Sequence, residues 1–184
     1  MRIKQLVKKL LLRLRGELPL EQYIKRGMTV GENFRYQNGC SFDISHCWLI
    51  QIGNDVQFSS RVHLLAHDAS TQYQTGYVKI GKVVIGDGVF IGAGGTILPG
   101  VHIGRESVIG AGAVVTKNIP PREVWGGGVP ARRICSIEEF AAEKWSTDKF
   151  TLFDESYTVR GGITEAKKKE MIDIVEKEGY AMVK

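Results

Sequence analysis

The fold is decided by the stretch VVIGDGVFIGAGGTILPGVHIGRESVIGAGAVVTKNIPP, residues 83–121. In this stretch an aliphatic residue recurs at every sixth position, and glycine follows it in most of the repeats. The aliphatic positions are Ile85, Ile91, Ile97, Ile103, Ile109 and Val115. A period of six is typical of a short strand followed by a tight turn, with the aliphatic side chain facing inward. Stacking such repeats buries a continuous ladder of Ile and Val that no single repeat could bury.

The same period continues towards the N-terminus. Ile52, Phe58 and Leu64 keep it, and a looser set extends it further, namely Val30, Tyr36 and Phe42. Leu64 and Ile85 are 21 residues apart, which we interpret as three hexapeptides with three extra residues. The spacing therefore predicts a loop at residues 68–79 that leaves the repeat.

The repeat resembles the hexapeptide-repeat acyltransferases, whose fold is a left-handed parallel β-helix with three hexapeptides in each triangular coil. The similarity covers residues 28–134 and points to O-acetyltransferases of bacterial capsular and extracellular polysaccharides, with the maltose and galactoside acetyltransferases as relatives. It implies a mainly β homotrimer that uses acetyl-CoA as co-substrate, acetylates a sugar or glycan hydroxyl and needs no metal. An N-acyltransferase of nucleotide-linked amino sugars is the alternative, and a non-catalytic scaffold of the same fold is a further one.

Two segments outside the repeat are expected to be helical. Residues 1–27 are predicted to hold a basic amphipathic helix, over residues 3–14, and a linker. We favour a cap on the apolar end of the domain for this helix, and a weak contact with a membrane surface is the alternative. Residues 135–184 form a predicted helical extension, with helices starting at Ser136 and Thr164.

Charge and cysteine content narrow the class of protein. The formal charge of +5 comes from residues 1–15, which carry six basic and no acidic side chains, so the rest of the chain sums to −1. Such a distribution gives little support for nucleic-acid binding. The three cysteines, Cys40, Cys47 and Cys135, lack a pairing pattern. Together with the lack of an apolar span or a signal-peptide pattern, they predict a cytoplasmic protein.

His67 is the candidate catalytic base. It stands in AHDAS, residues 66–70, where the regular repeat stops. Acyl transfer to a hydroxyl needs a base with a pKa near neutral, and imidazole meets that need. The family resemblance also implies a catalytic His at this place. A carboxylate is expected to hold the ring, and we favour Asp68 over Asp43 for that role.

The predicted loop supplies the candidate substrate contacts. Tyr73 and Tyr77 are expected to stack on a sugar, with Asp43 as a third contact. His63 and His102 share one repeat position and are expected on one face of the β-helix, two coils apart. With His67 they would form a three-histidine zinc site like that of the γ-class carbonic anhydrases, the alternative from another class of enzyme.

The family resemblance also implies where acetyl-CoA binds, along a groove between neighbouring subunits. Candidate contacts are small residues of the late coils, which leave the backbone approachable, and basic residues near the end of the repeat. These residues are Gly92, Ala93, Gly110, Ala111, Lys117, Arg132 and Arg133. One backbone N–H of the small residues is expected to face the thioester oxygen. Where the family commonly has Asn, this chain has Val129, so one hydrogen-bonding side chain is missing.

Overall fold

A computed structural model describes residues 18–144 and 146–184 of the chain. The described residues divide into two compact units, one reaching to Ile137 and one covering residues 138–184. The predicted helix at residues 3–14 lies outside the described residues, so its role as a cap or a membrane contact stays a prediction.

The first unit is a prism with three parallel sheets, the arrangement of a left-handed β-helix, as the repeat and the family resemblance predicted. Face 1 contains β1 (Thr29–Val30), β4 (Ile50–Ile52), β9 (Val83–Ile85) and β12 (His102–Ile103). Face 2 contains β2 (Arg35–Tyr36), β5 (Gln57–Phe58), β10 (Phe90–Ile91), β13 (Val108–Ile109) and β15 (Glu123–Gly126). Face 3 contains β3 (Ser41–Phe42), β6 (His63–Leu64), β11 (Thr96–Ile97) and β14 (Val114–Val115). The strand β16 (Arg132–Ser136) closes face 2 by pairing antiparallel with β15.

The six-residue ladder forms the core of the prism. Ile91, Ile97 and Ile109 are completely buried. Each pairs in register with the ladder residue one coil away, as Ile91 does with Ile109. At the turn after Ile91, a Cβ on Gly92 would lie 2.5 Å from the amide nitrogen of Ala111 in the next coil. Glycine at this corner therefore lets adjacent coils approach closely enough to form their hydrogen bonds.

A short helix precedes the first coil. The helix α1 (Leu20–Lys25) lies in the segment that the sequence analysis treated as linker. Its Tyr23 is buried, and the ring centroid lies 5.2 Å from that of Phe42 in an edge-on contact. This packing covers core residues of the first coil, since Phe42 is itself buried.

Two insertions interrupt the prism, and both leave from the edge between face 3 and face 1. Phe42 and Ile52 are ten residues apart, four more than one hexapeptide, and the extra chain includes a 3₁₀ turn at Cys47–Leu49. Leu64 on face 3 and Ile85 on face 1 are 21 residues apart, fifteen more than one hexapeptide. Our count of three extra residues was therefore wrong, because the chain makes only one step around the prism between these two residues.

The longer insertion has a regular structure of its own. It contains β7 (His67–Asp68), α2 (Gln72–Thr75) and β8 (Lys79–Ile80), and β7 pairs antiparallel with β8. Every residue from Asp68 to Ile80 is exposed in the chain. The insertion thus adds surface to the edge of the prism without adding to its core.

The second unit contains the C-terminal helix that the sequence predicted. This helix, α4 (Glu165–Glu178), begins where the Thr164 hydroxyl accepts a hydrogen bond from the Lys167 amide and ends before Gly179, whose φ is +81°. The other helical segments are α3 (Ile137–Glu139), which starts at the boundary of the two units, a π-helical turn (Phe140–Lys144) and 3₁₀ turns at Thr147–Lys149 and Glu155–Tyr157. The strands are β17 (Thr151–Phe153) and β18 (Ala181–Val183), which pair parallel. None of the described helices is both long and apolar enough to cross a bilayer.

Candidate active site

The two insertions bring Asp43 and His67 together. Phe42 and Leu64 are register partners on face 3, and the Asp43 amide donates to the Leu64 carbonyl at 2.9 Å. Asp43 therefore starts the first insertion directly beside the start of the second, and His67 follows Leu64 by three residues. Residues 24 apart in sequence meet because both coils leave the prism at the same edge.

The Asp43 carboxylate is the buried centre of the site, with a fully buried side chain. One oxygen, Oδ1, accepts hydrogen bonds from the amides of Ser45 and His46, each at 2.9 Å. The other, Oδ2, accepts from the Ala66 amide at 2.9 Å and from Nδ1 of His67. Burial alone would raise the pKa of Asp43, but the hydrogen bonds from His67, Ala66 and His46 outweigh it and hold the pKa below its usual value. Asp43 is consequently an anion at neutral pH.

The contact with Asp43 fixes the orientation of the His67 ring. Because the carboxylate is ionised, it requires a proton on Nδ1, and the opposite nitrogen, Nε2, is left with a lone pair. The ring is about one third exposed, with its side chain at 33%. A partly exposed imidazole with a buried anion behind it is the arrangement that suits a general base.

The carboxylate that holds the ring is Asp43, so our preference for Asp68 is corrected. The Asp68 side chain accepts a hydrogen bond from the Ser70 amide at 2.9 Å in an exposed turn, and this bond is the main cause of its lowered pKa. Asp43 cannot be the substrate contact that the sequence analysis also considered, because its side chain is buried beneath the ring. Of the two tyrosines expected to bind substrate, Tyr73 is 97% and Tyr77 78% exposed on the second insertion.

Two aromatic residues beside His67 were missed by the sequence analysis. The His46 ring lies 5.2 Å from the His67 ring, and the Trp48 ring lies 5.3 Å from His46 on the same insertion. Nδ1 of His46 is buried at 4.0 Å from Asp43 Oδ1. The signal that could have found them is the ten-residue spacing between Phe42 and Ile52, since it puts the segment 43–49 at the edge that also carries His67.

The structure separates the histidines of the zinc alternative. His63 lies on face 3, where Nδ1 is 2.6 Å from the hydroxyl of Ser41, and His102 lies on face 1. Our expectation that they share a face was wrong, and it followed from the wrong count of inserted residues. Within one chain the three-histidine set is not assembled.

A different group could act as metal ligands. Within residues 18–144 and 146–184, the ligand atoms of Asp43, His46 and His67 lie within 4.8 Å of one another. A cation at this place would have to replace the proton that His67 donates to Asp43. Metal binding and the orientation of the base would therefore exclude each other.

The small residues expected near acetyl-CoA lie on a different edge, between face 2 and face 3. The amides of Gly92 and Gly110 are occupied, because they donate to the carbonyls of Ile109 and Trp125 at 2.7 Å each. Of the four small residues proposed for the donor, only Ala93 and Ala111 are left to offer an amide to a thioester. Ala93 is half-buried and Ala111 is exposed.

The basic residues near the end of the repeat have different surroundings. Lys117 follows face 3, on the edge that carries His67 two coils earlier, and its Nζ lies 5.2 Å from the ring centre of Trp125. Arg133 donates to the carboxylate of Glu123 at 2.8 Å, whereas Arg132 is exposed on β16. Val129 is 75% exposed.

Comparisons with known proteins agree with this fold and site. Residues 82–117 match the family described as hexapeptide repeat of succinyl-transferase. The chain is 40% identical over 140 residues to protein CapG of Staphylococcus aureus. The alignment covers 73% of this chain and 81% of CapG. The chain therefore belongs to the hexapeptide-repeat acetyltransferase family.

Solved structures show the same architecture. A maltose O-acetyltransferase from Clostridium difficile superimposes with a TM-score of 0.54 at 38% identity, over 60% of this chain and 59% of that protein. A hexapeptide-repeat acetyltransferase from Vibrio cholerae, in complex with acetyl-CoA, superimposes with a TM-score of 0.53 at 26% identity. The superposition covers 60% of this chain and 61% of that protein. The matched region spans only 52% and 62% of the length of two further curated relatives, so the similarity to them is confined to part of each protein.

Proposed function

We propose that this protein transfers the acetyl group of acetyl-CoA to a hydroxyl group of a sugar, in the synthesis of a capsular or extracellular polysaccharide. The observation that carries the proposal is the His67–Asp43 pair at the edge where both insertions leave the prism. The acetyl-CoA complex of the Vibrio cholerae relative supports the donor. The names of the maltose and galactoside O-acetyltransferases support a sugar as the acceptor.

The proposed reaction is a direct transfer. The acceptor oxygen attacks the thioester carbonyl while Nε2 of His67 takes the hydroxyl proton, and Asp43 stabilises the imidazolium that forms. The carbon–sulfur bond then breaks, the acetyl ester stays on the acceptor, and the thiolate of coenzyme A leaves with the proton returned by His67. The amide of Ala93 or Ala111 is the candidate donor to the oxyanion.

The proposed assembly is a homotrimer. In one chain, His67 and the small residues for the donor lie on different edges, with face 3 between them. If prisms pack side by side, an edge with His67 faces an edge with Ala93 and Ala111 across a groove. One subunit would then supply the base and its neighbour part of the donor site.

The test is thiol release from acetyl-CoA with a panel of methyl glycosides, amino sugars and crude glycan extracts as acceptors. We expect a hydroxyl acceptor, an ester product that mild base removes, and a rate about 10² to 10⁴ lower for His67→Ala, the usual worth of a positioned base. The affinity for coenzyme A should change little. A base-stable amide would instead favour the amino-sugar alternative, and near-normal turnover of His67→Ala would refute the assignment of the base.

A further inference from the structure

We propose that His46 and Trp48 form the acceptor subsite, which binds one sugar ring next to His67: Trp48 packs against the face of the ring, and His46 hydrogen-bonds the hydroxyl adjacent to the one that is acetylated. This inference rests on the proposed function. It identifies the acceptor as a sugar with two neighbouring hydroxyl groups.

The first argument is the arrangement of the three rings. His67, His46 and Trp48 follow one another at centroid distances of 5.2 and 5.3 Å, with tilts of 45° and 55° between neighbours. All three rings are partly exposed, and Trp48 is 55% exposed. They form a continuous surface that starts at the base and extends along the first insertion.

The second argument concerns the two nitrogens of His46. Its Nδ1 is buried, has no hydrogen-bond partner among the described residues and lies 4.0 Å from the Asp43 anion. The field of the carboxylate favours a proton on this nitrogen, so Nε2 keeps its lone pair. In both His46 and His67, Nδ1 is the nitrogen that faces the Asp43 carboxylate, so Nε2 is the nitrogen left to accept a hydrogen bond.

Two neighbouring acceptors of this kind match the chemistry of a sugar. Hydroxyl groups on adjacent carbons of a pyranose lie within hydrogen-bond distance of each other. Nε2 of His67 would take the proton of one hydroxyl, and Nε2 of His46 would accept a hydrogen bond from the next. A simple alcohol or an isolated hydroxyl would use only one of the two nitrogens.

The third argument is that Trp48 is held in its exposed position. It belongs to the 3₁₀ turn Cys47–Leu49, whose first residue, Cys47, is completely buried. Behind it, a Cβ on Gly27 would lie 3.0 Å from the Trp48 Cβ, so the absence of a side chain at Gly27 lets this turn pack closely against the segment before the first coil. A large, rigid and exposed aromatic face is suited to pack against the C–H face of a sugar.

The experiment measures thiol release from acetyl-CoA with the full chain and methyl hexopyranosides as acceptors. For Trp48→Ala we expect KM for the glycoside to rise about tenfold, as for loss of a contact of this size, with a much smaller change in KM for acetyl-CoA. Trp48→Phe should restore part of the loss. Phe90→Leu, which trims a partly exposed aromatic on face 2, is the matched control.

The role of His46 is tested with monodeoxy glycosides. The wild-type protein should prefer the parent glycoside over the analogue without the adjacent hydroxyl by about tenfold, the worth of one hydrogen bond. His46→Phe keeps a planar ring but has no nitrogen, so it should lose this preference. A purely structural role would slow parent and analogue equally, and that result would overturn the proposal.

Other outcomes identify a different occupant of this surface. A rise in KM for acetyl-CoA in Trp48→Ala would assign Trp48 to the donor, and a change in molar mass by light scattering would assign it to a subunit interface. Either result overturns the acceptor subsite and leaves the proposed function in place. If no glycoside raises thiol release by the wild-type protein above its rate with water, the proposed function itself fails and this inference with it.

Discussion

The Asp43 carboxylate accepts four hydrogen bonds, three from backbone amides and one from His67, and its charge state decides what His67 can do. The carboxylate can only accept hydrogen bonds, so it fixes the proton of His67 on Nδ1. In Asp43→Asn the amide would donate instead and shift that proton to Nε2, which removes the base. We expect turnover to fall by about 10² to 10⁴, as for other orienting carboxylates, measured as thiol release from acetyl-CoA.

Asp68→Asn is the matched control for that change, since it alters the neighbouring carboxylate without touching the His67–Asp43 hydrogen bond. We expect its turnover to stay within about threefold of wild type, because its effect would be limited to an exposed turn. A larger loss for Asp68→Asn than for Asp43→Asn would restore our original preference for Asp68.

The low pKa of Asp43 also links the site to the stability of the prism. Because the pKa is lower in the folded than in the unfolded chain, the ionised carboxylate stabilises the folded state above pH of about 4, the unfolded value. This stabilisation is lost as the pH falls through the lower, folded pKa. Urea unfolding should show wild type more stable than Asp43→Asn at pH 7, by about 1–3 kcal/mol, and the difference should shrink below pH of about 4. A difference that grows on acidification would contradict the pKa direction.

The sequence was informative about His67 and less so about its surroundings. An imidazole at a break in a regular repeat, within a motif shared with a known family, was enough to select it. Asp43 was only an alternative, because the distance between residues 43 and 67 depends on how two coils stack. His46 was passed over, because a four-residue insertion after Phe42 changes the spacing too little to stand out against a loose repeat.

Among the elements of the prism, the hexapeptide strands are predictable and the insertions are not. A strand of two or three residues is defined by its buried aliphatic residue, so the period gave the ladder positions directly. The number of residues in an insertion is ambiguous from spacing alone, since three extra residues and fifteen extra residues differ by two full hexapeptides. Only the pairing of Ile52 with Ile85 on face 1 decides between them.

The second insertion should be removable without loss of the fold. Joining Asp68 to Lys79 by an Asn-Gly turn keeps the β7–β8 pairing and deletes exposed residues only. We expect the free energy of unfolding to change by less than about 1 kcal/mol, whereas Ile97→Ala in the core should cost about 2–5 kcal/mol. Denaturant unfolding measures both.

If Tyr73 and Tyr77 bind the acceptor, as the sequence analysis proposed, the shortened protein should also show a raised KM for a glycoside. A strongly destabilised variant would show instead that the insertion contacts a neighbouring subunit or another part of the protein.

For the whole molecule, the separation of the two halves of the site makes activity depend on assembly. We expect light scattering of an active preparation to give about three times the chain mass of 20.4 kDa. Dilution until the trimer dissociates should abolish thiol release, because the donor edge of one chain would no longer face the His67 edge of another. A monomer that still turns over would contradict the proposed groove between subunits.

The continuity of the three faces across both insertions has a consequence for how such proteins diversify. Phe42 pairs with Leu64 and Ile52 with Ile85 in the same register that the uninterrupted coils keep, although four and fifteen residues leave the prism between them. The register of the prism is thus independent of the length of the inserted segments. We therefore expect the exposed segment 68–80 to be exchangeable between relatives, which offers a way to change the acceptor while the catalytic pair and the donor edge are kept.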